Sequence, residues 1–385
     1  MMRVLPLLLL VGAAEAPKVD YAADAKALDR LVVENYAYTD HWPGGVLPDS
    51  PALAAERAAV HDRDSLLRYA EDRIASLADH HAITGGSFKD SWAIVPTYAD
   101  LWIVRQGDGF VVDAVKPDTP AAEAGIVVGD RLTAIDGVPT TQAVAGFWQT
   151  LGLAITPERA DFAARVLAAG RRDRPRVLTF THAGIARTLT LPSLYTINRD
   201  LPPVSVIDGG GKAPIRIRIN NSLGDWATIA AFDAAMAKIA PTATVIIDVS
   251  DTPSGGNTSV ARAIMGWFVQ RPTGYQVHNY PAEERETGVA RQWIEQVLPR
   301  AGKFHPGKAI VRVGRWTGSM GEGIAIGFRA IGATVCGGRM AQLRGAVYDF
   351  SLPASGMVVK LPAERLTTTD GVPREEVVTR ECPVY

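Results

Sequence analysis

The stretch Arg315-Trp-Thr-Gly-Ser319-Met-Gly-Glu322-Gly323 sets a serine between a β-type apolar run, Ala309-Ile-Val-Arg-Val313, and a helical pattern, Ile324-Ala-Ile-Gly-Phe-Arg-Ala-Ile331. The first N–H groups of a helix lack intrahelical acceptors, and its dipole favours negative charge there. A nucleophile suits that position. A second strand–turn–helix unit reads Val245-Ile-Ile-Asp248-Val-Ser-Asp-Thr-Pro253-Ser254-Gly255-Gly256-Asn257. Its paired glycines let backbone N–H groups approach a phosphate or a developing oxyanion closely. The Walker A spacing is absent, which leaves the oxyanion.

Ser319-Met-Gly-Glu322 also fits the capping box Ser-x-x-Glu, and on spacing alone capping is the simpler reading. The flanking glycines argue for more, because an ordinary cap has no need of close backbone access. The seven histidines are at 41, 61, 80, 81, 182, 278 and 305, so none follows Ser319 and the order Ser, acid, His cannot be built. A histidine base must come from earlier in the chain. His80-His81 ends an amphipathic helical stretch just before Gly85-Gly86, a boundary suited to a cleft. Adjacent histidines point differently and rarely chelate one metal, and no His-Glu-x-x-His pattern exists. Residue types alone do not separate a base from a surface histidine here.

These groups need elements to position them. Asp24 to Val33 and Asp62 to Leu77 carry apolar residues at three- and four-residue steps, as amphipathic helices do. From about Ser91 short strands take over. Beyond a breaker-rich link at Pro202-Pro203 and Asp208-Gly-Gly-Gly211, strands alternate with helices: Ile215–Ile219, Trp226–Ile239, Ala243–Asp248, Ser259–Val269, Ala309–Val313 and the helix after Ser319. That alternation predicts an α/β layer with largely parallel pairing, whose chemistry gathers beyond the strand C-termini.

Composition is that of a globular protein: 385 residues, 47% hydrophobic and 21% charged, enough for two or three domains. Forty basic against 41 acidic residues give no electrostatic footprint for nucleic acid or an anionic membrane. Arg3, the apolar run Leu5–Val11 and the small residues Gly12-Ala-Ala14-Glu-Ala16 have the parts of a secretory signal peptide, so residues 1–16 are expected to be removed and the mature chain exported, periplasmic or secreted. No other stretch reaches transmembrane length. Cys336 and Cys382 could pair in an oxidising compartment or stay as buried thiols, since spacing cannot place their Cα atoms.

Two resemblances organise these pieces. The succession Ala124-Gly125, Gly129-Asp130 and Ile135-Asp136-Gly137 resembles a PDZ domain, here over residues 93–195. That likeness implies capture of an extended peptide end by strand addition, and Leu101, Trp102 and Ile103 are the residues expected at the peptide-binding strand. The whole chain resembles the tail-specific, C-terminal-processing and tricorn-type serine peptidases. The carriers are Leu77-Ala-Asp79-His80-His81-Ala-Ile-Thr84, the Asp248 to Asn257 loop and Thr317-Gly-Ser319-Met-Gly-Glu322, in that order.

The family likeness implies a mixed α/β fold: an N-terminal helical segment over 17–92, the PDZ-like β domain, and a crotonase-like α/β catalytic core over 196–385. It implies an exported endopeptidase acting on polypeptide, with no metal or cofactor. One branch of the family uses a lysine base about two dozen residues after the serine. Here that region reads Arg339-Met-Ala-Gln-Leu-Arg344-Gly345, and arginine stays protonated. The tricorn branch uses a histidine at the position of His81. The expected site is therefore Ser319 as nucleophile and His81 as base. Asp370 is the nearest match to the branch's late carboxylate, with Asp79 a second candidate orienter by proximity. Backbone N–H groups of Gly255 or Gly256 and of Met320 are the expected oxyanion donors. A non-catalytic peptide- or ligand-binding protein on the same scaffold, or a hydrolase of esters or small amides, are the alternative functions.

Overall fold

The computed structural model describes residues 19–197, 200–208, 210 and 213–382, so the expected signal peptide lies outside the described residues. The N-terminal segment contributes helices α1 (Tyr21–Asn35), α2 (Pro51–Ala59) and α3 (Arg63–Ala75). Each begins at a side-chain cap: Asp20, Ser50 and Asp62 accept the N–H groups of Ala23, Leu53 and Ser65. After α3 the chain runs through Asp79-His80-His81 into the two-residue strand β1 (Ile83–Thr84).

The next unit is a six-stranded antiparallel sheet. It contains β2 (Leu101–Gln106), β3 (Gly109–Val115), β4 (Arg131–Ile135), β5 (Val138–Pro139), β6 (Arg176–His182) and β7 (Ile185–Leu191). The order is β2-β3-β4-β6-β7, with β5 paired to β4. Helices α4 (Pro120–Glu123), α5 (Thr140–Thr150) and α6 (Pro157–Ala169) complete it, and Trp148, Phe162 and Phe180 are buried at its centre.

The last unit is built on two sheets. The first joins β8 (Val204–Ile207), β9 (Ile215–Ile219), β10 (Val245–Asp248), β14 (Ala309–Arg312) and β16 (Thr334–Cys336), with α7 (Ala227–Met236) and α8 (Thr258–Met265) in the crossovers. Its order is β16-β14-β10-β9-β8; every pair is parallel except β8 with β9. Parallel pairing is as expected, but β8 falls inside the stretch read as a link. Between the turns after β10 and β14, the short strands β11 (Asp251–Thr252) and β15 (Trp316–Thr317) pair in parallel. Helix α10 (Met320–Ala330) follows Ser319 and is buried on all faces from Met320 to Phe328. The second sheet holds β12 (Thr273–Asn279), β13 (Gln292–Val297), β17 (Ala346–Ser351) and β18 (Val358–Thr367), with α9 (Pro281–Thr287) leading out of β12. β1 of the N-terminal segment joins it by pairing with β18, which carries that segment to the edge of the last unit.

Cys336 and Cys382 form a disulfide with Cα atoms 4.8 Å apart, tying the last described residues to β16. Closing a 46-residue separation removes about 4 kcal/mol of denatured-state freedom in the chain-entropy account. Reduction, or Cys382→Ala, is expected to lower the free energy of unfolding in urea by about 2–4 kcal/mol. An unfolding curve insensitive to reductant would contradict the pairing.

Candidate active site

Ser319 sits at the junction of β15 and α10 with φ +50° and ψ −113°, a region a non-glycine residue adopts only when its surroundings impose it. The restraints are local. Thr317 Oγ1 donates to Val249 O at 2.8 Å, Gly318 N–H donates to Thr252 O at 3.1 Å, and Ser319 N–H donates to Glu322 Oε2 at 2.9 Å. The hydroxyl is turned towards the N-terminal segment, where Ser319 Oγ lies 3.1 Å from His81 Nε2. Two residues 238 apart in sequence are thus within hydrogen-bond reach.

The other ring nitrogen decides the proton arrangement. His81 Nδ1 is 2.6 Å from the carbonyl oxygen of Arg344. A carbonyl only accepts, so Nδ1 carries the proton and Nε2 presents its lone pair to the serine. Burial holds the imidazole down to about 4, the Arg374 charge pushes the same way, and the Arg344 carbonyl and Asp79 oppose them less strongly. The ring is therefore neutral at physiological pH, with its Nε2 lone pair available to accept a proton.

Asp79 fixes the backbone rather than the ring: its carboxylate accepts His81 N–H at 2.8 Å and Tyr36 O–H at 2.7 Å. Asp370, expected to orient the histidine, does not reach it. Asp370 is exposed and pairs with Arg329 at 3.2 Å, in the last turn of α10, about 15 Å along the helix from Ser319. The orienting group is the Arg344 carbonyl, in the region where the sequence offered arginine instead of lysine. No side-chain pattern announces a carbonyl. His80 faces away, its Nδ1 2.6 Å from Ile94 O and its ring stacked on Phe162 of α6 at 4.4 Å.

The Gly255-Gly256 turn packs against Ser319 and against the Leu223–Gly224 backbone. A Cβ on Gly255 would come within 2.3 Å of Ser319 Cβ, 2.4 Å of its Oγ and 2.9 Å of Met320 N. A Cβ on Gly256 would strike the Leu223–Gly224 backbone at 2.2 Å. Only glycine permits this approach, and among the described residues no acceptor meets the N–H groups of Gly255, Gly256 or Met320. Free donors beside a hydroxyl are the elements of an oxyanion hole.

A cavity of about 750 Å³ opens on this group. One wall is the serine–histidine pair with the Gly255 loop; another is β17, which among the described residues pairs only with β18 and lines the cavity with Ala346, Val347, Tyr348 and Asp349. A third wall was not foreseen from sequence. His278 on β12 lies between Glu364 at 2.6 Å and Glu295 at 3.3 Å and stacks on Trp293. Burial works against its charge, but the two carboxylates outweigh burial and push it up to about 9. Its members come from three strands, so no local motif links them.

Leu101, Trp102 and Ile103 are not an open peptide strand. All three are at most 1% exposed. Trp102 packs on Ala341 and Leu343 beside the site, under the guanidinium groups of Arg165 and Arg315. Asp161 of α6 accepts Arg105 N–H at 2.6 Å, so α6 already occupies a donor that an added strand would need.

A PDZ-domain family model matches residues 111–145. No match is found among curated proteins. Solved structures match almost end to end. The photosystem II D1 C-terminal processing protease is 15% identical, with 94% of this chain and 92% of that one covered at a TM-score of 0.54. Mature CPAF complexed with lactacystin is 14% identical, with 94% and 92% covered at 0.55. The chain has the fold of the C-terminal processing proteases. Within that fold, a PDZ domain sits between the segment carrying His81 and the unit carrying Ser319, and the serine–histidine contact spans it.

Two outcomes test this geometry. Gly255→Ala should abolish reactivity at Ser319 while costing about 1–3 kcal/mol of stability by overpacking; a fully reactive variant would show that the close approach is not needed. Nitrogen-15 spectra of histidine-labelled protein should show His81 as the Nδ1–H tautomer and neutral until pH approaches about 4. A midpoint near the ordinary 6.5 would refute the burial argument.

Proposed function

We propose that this protein is an exported serine endopeptidase in which Ser319 attacks a backbone carbonyl and His81 carries the proton. The observation that carries the reading is the 3.1 Å contact between Ser319 Oγ and His81 Nε2, with Nδ1 tied to the Arg344 carbonyl. His81 Nε2 takes the hydroxyl proton as Oγ bonds to the carbonyl carbon. The carbonyl oxygen becomes an oxyanion beside the Gly255, Gly256 and Met320 N–H groups. His81 then returns the proton to the leaving amine. Water deacylates the serine by the same steps in reverse roles.

The cavity suits an extended polypeptide. Among the described residues β17 has no strand partner on its second edge, along the cavity wall, and an edge strand offers main-chain donors and acceptors to an extended chain. With β2 covered by α6, the PDZ unit acts here by its position: Trp102 and the Arg315–Asp113 ion pair hold it against the site. Export is supported by the N-terminal sequence and by the Cys336–Cys382 disulfide, which an oxidising compartment maintains.

A fluorophosphonate probe should label the protein at Ser319, and both Ser319→Ala and His81→Ala should lose labelling together with cleavage of a casein-type substrate. Labelling of Ser319→Ala at the wild-type rate would overturn the proposal. Turnover of small esters with no cleavage of polypeptides would reassign the substrate class.

A further inference from the structure

Glu322 is wholly buried, and the proton path through Ser319 and His81 does not use its carboxylate. Its two oxygens accept three backbone N–H groups: Ser319 at 2.9 Å and Leu343 at 3.3 Å on Oε2, and Gln342 at 2.8 Å on Oε1. A helix cap requires only the first. The other two belong to residues 340–344, a segment in neither helix nor strand. One residue beyond Leu343, the Arg344 carbonyl receives the His81 Nδ1 proton. The contacts therefore close a ring, from the Ser319 backbone through the Glu322 carboxylate, the 342–344 backbone and the His81 ring back to the Ser319 hydroxyl.

We propose that Glu322 is a positioning residue that sets the separation of Ser319 Oγ and His81 Nε2, holding the strained serine backbone and the 342–344 segment on one buried carboxylate. The proposal rests on the serine–histidine reading above. An ionised carboxylate can accept all three donors. A protonated one turns an acceptor into a donor facing an N–H and loses a link. Arg374 grips the segment from its other side by donating to the Leu343 and Gly345 carbonyls. The charged or titratable groups around Glu322 are Arg374 and Glu375 on the C-terminal turn, Arg344 on the segment, and Asp79 and His81 on the N-terminal side. Burial pushes the Glu322 carboxyl up to about 7, against the opposing pull of Arg374 and the backbone donors. Protonation as pH falls through that value would loosen the ring while His81 is still neutral.

The test uses the full chain and measures Ser319 labelling by a fluorophosphonate together with peptide turnover. In the wild type both rates should fall as pH drops through about 7. Glu322→Gln keeps the size but sets an amide N–H₂ against a backbone N–H; it should lower kcat roughly 10- to 100-fold with KM changed less than about threefold. The fall near pH 7 should vanish in that variant, a change that simple loss of a helix cap would not produce. Wild-type kcat in Glu322→Gln, or persistence of the limb near pH 7 in it, would overturn the proposal. A flat wild-type labelling profile between pH 8 and 5 would overturn it even if the variant fails to fold. A wild type that never labels at Ser319 removes the hydrolase reading and this proposal together; normal wild-type labelling with an indifferent Glu322→Gln removes only the clamp.

Discussion

The site depends on two parallel strand–turn–helix units lying so close that the backbone of one touches the side chain of the other. β10 and β14 are neighbours in register, and β11 and β15 extend that pairing past the strand ends into the turns. The turn at Gly255 is thereby pressed onto Ser319 at a distance that excludes any Cβ. Free backbone donors, a strained serine and the start of a buried helix then share one small volume. Neither turn makes the arrangement alone, because one has free donors without the serine and the other the serine without its neighbour's donors.

The histidine reaches this place by a different constraint. β1 pairs antiparallel with β18, and Gly85 N–H donates to Val358 O at 2.8 Å, so the segment after α3 is stitched into the second sheet. Buried contacts fix the rest of the approach. Asp79 joins the His81 backbone to Tyr36 of the N-terminal segment, and His80 is clamped between Ile94 and Phe162. The adjacent histidines thus divide the work: His80 anchors the segment to the PDZ unit, and His81 faces the serine. Packing of three units at this corner sets the Ser319–His81 contact, although its two side chains come from only two of them.

The parts legible in the sequence were those with local signatures. The amphipathic helical steps, the parallel alternation and the PDZ succession each arise from residues near one another, and the glycine pairs mark close backbone approach before any partner is known. Motif order joins Ser319, His81 and the Gly255-Gly256 loop, which local pattern leaves apart. Asp370 was misplaced for a physical reason: a carboxylate was sought where the structure supplies a main-chain carbonyl, and backbone groups carry no residue type to search for. The cluster of His278 with Glu295 and Glu364 was missed similarly, since residues on three antiparallel strands become neighbours only through register. β2 looked open because a strand sequence does not reveal which helix will cover its edge.

Arg344 contributes to the site through its backbone and not its side chain. Its guanidinium is directed to Glu158 and His41, away from the serine, and cannot serve as a base. Its carbonyl is what His81 uses, and any residue type has one. A neutral acceptor fixes the tautomer as well as a carboxylate would. It stabilises the imidazolium far less, because no full negative charge faces the ring. With burial and Arg374 also opposing protonation, the proton taken from Ser319 would be held weakly. Under the proposed mechanism such a proton would pass readily to a leaving amine, so the second half of each step would gain what proton abstraction loses. Under the proposed mechanism the free backbone donors would then carry more of the stabilisation as charge develops, which accords with a glycine at 255 where any side chain would collide with the serine.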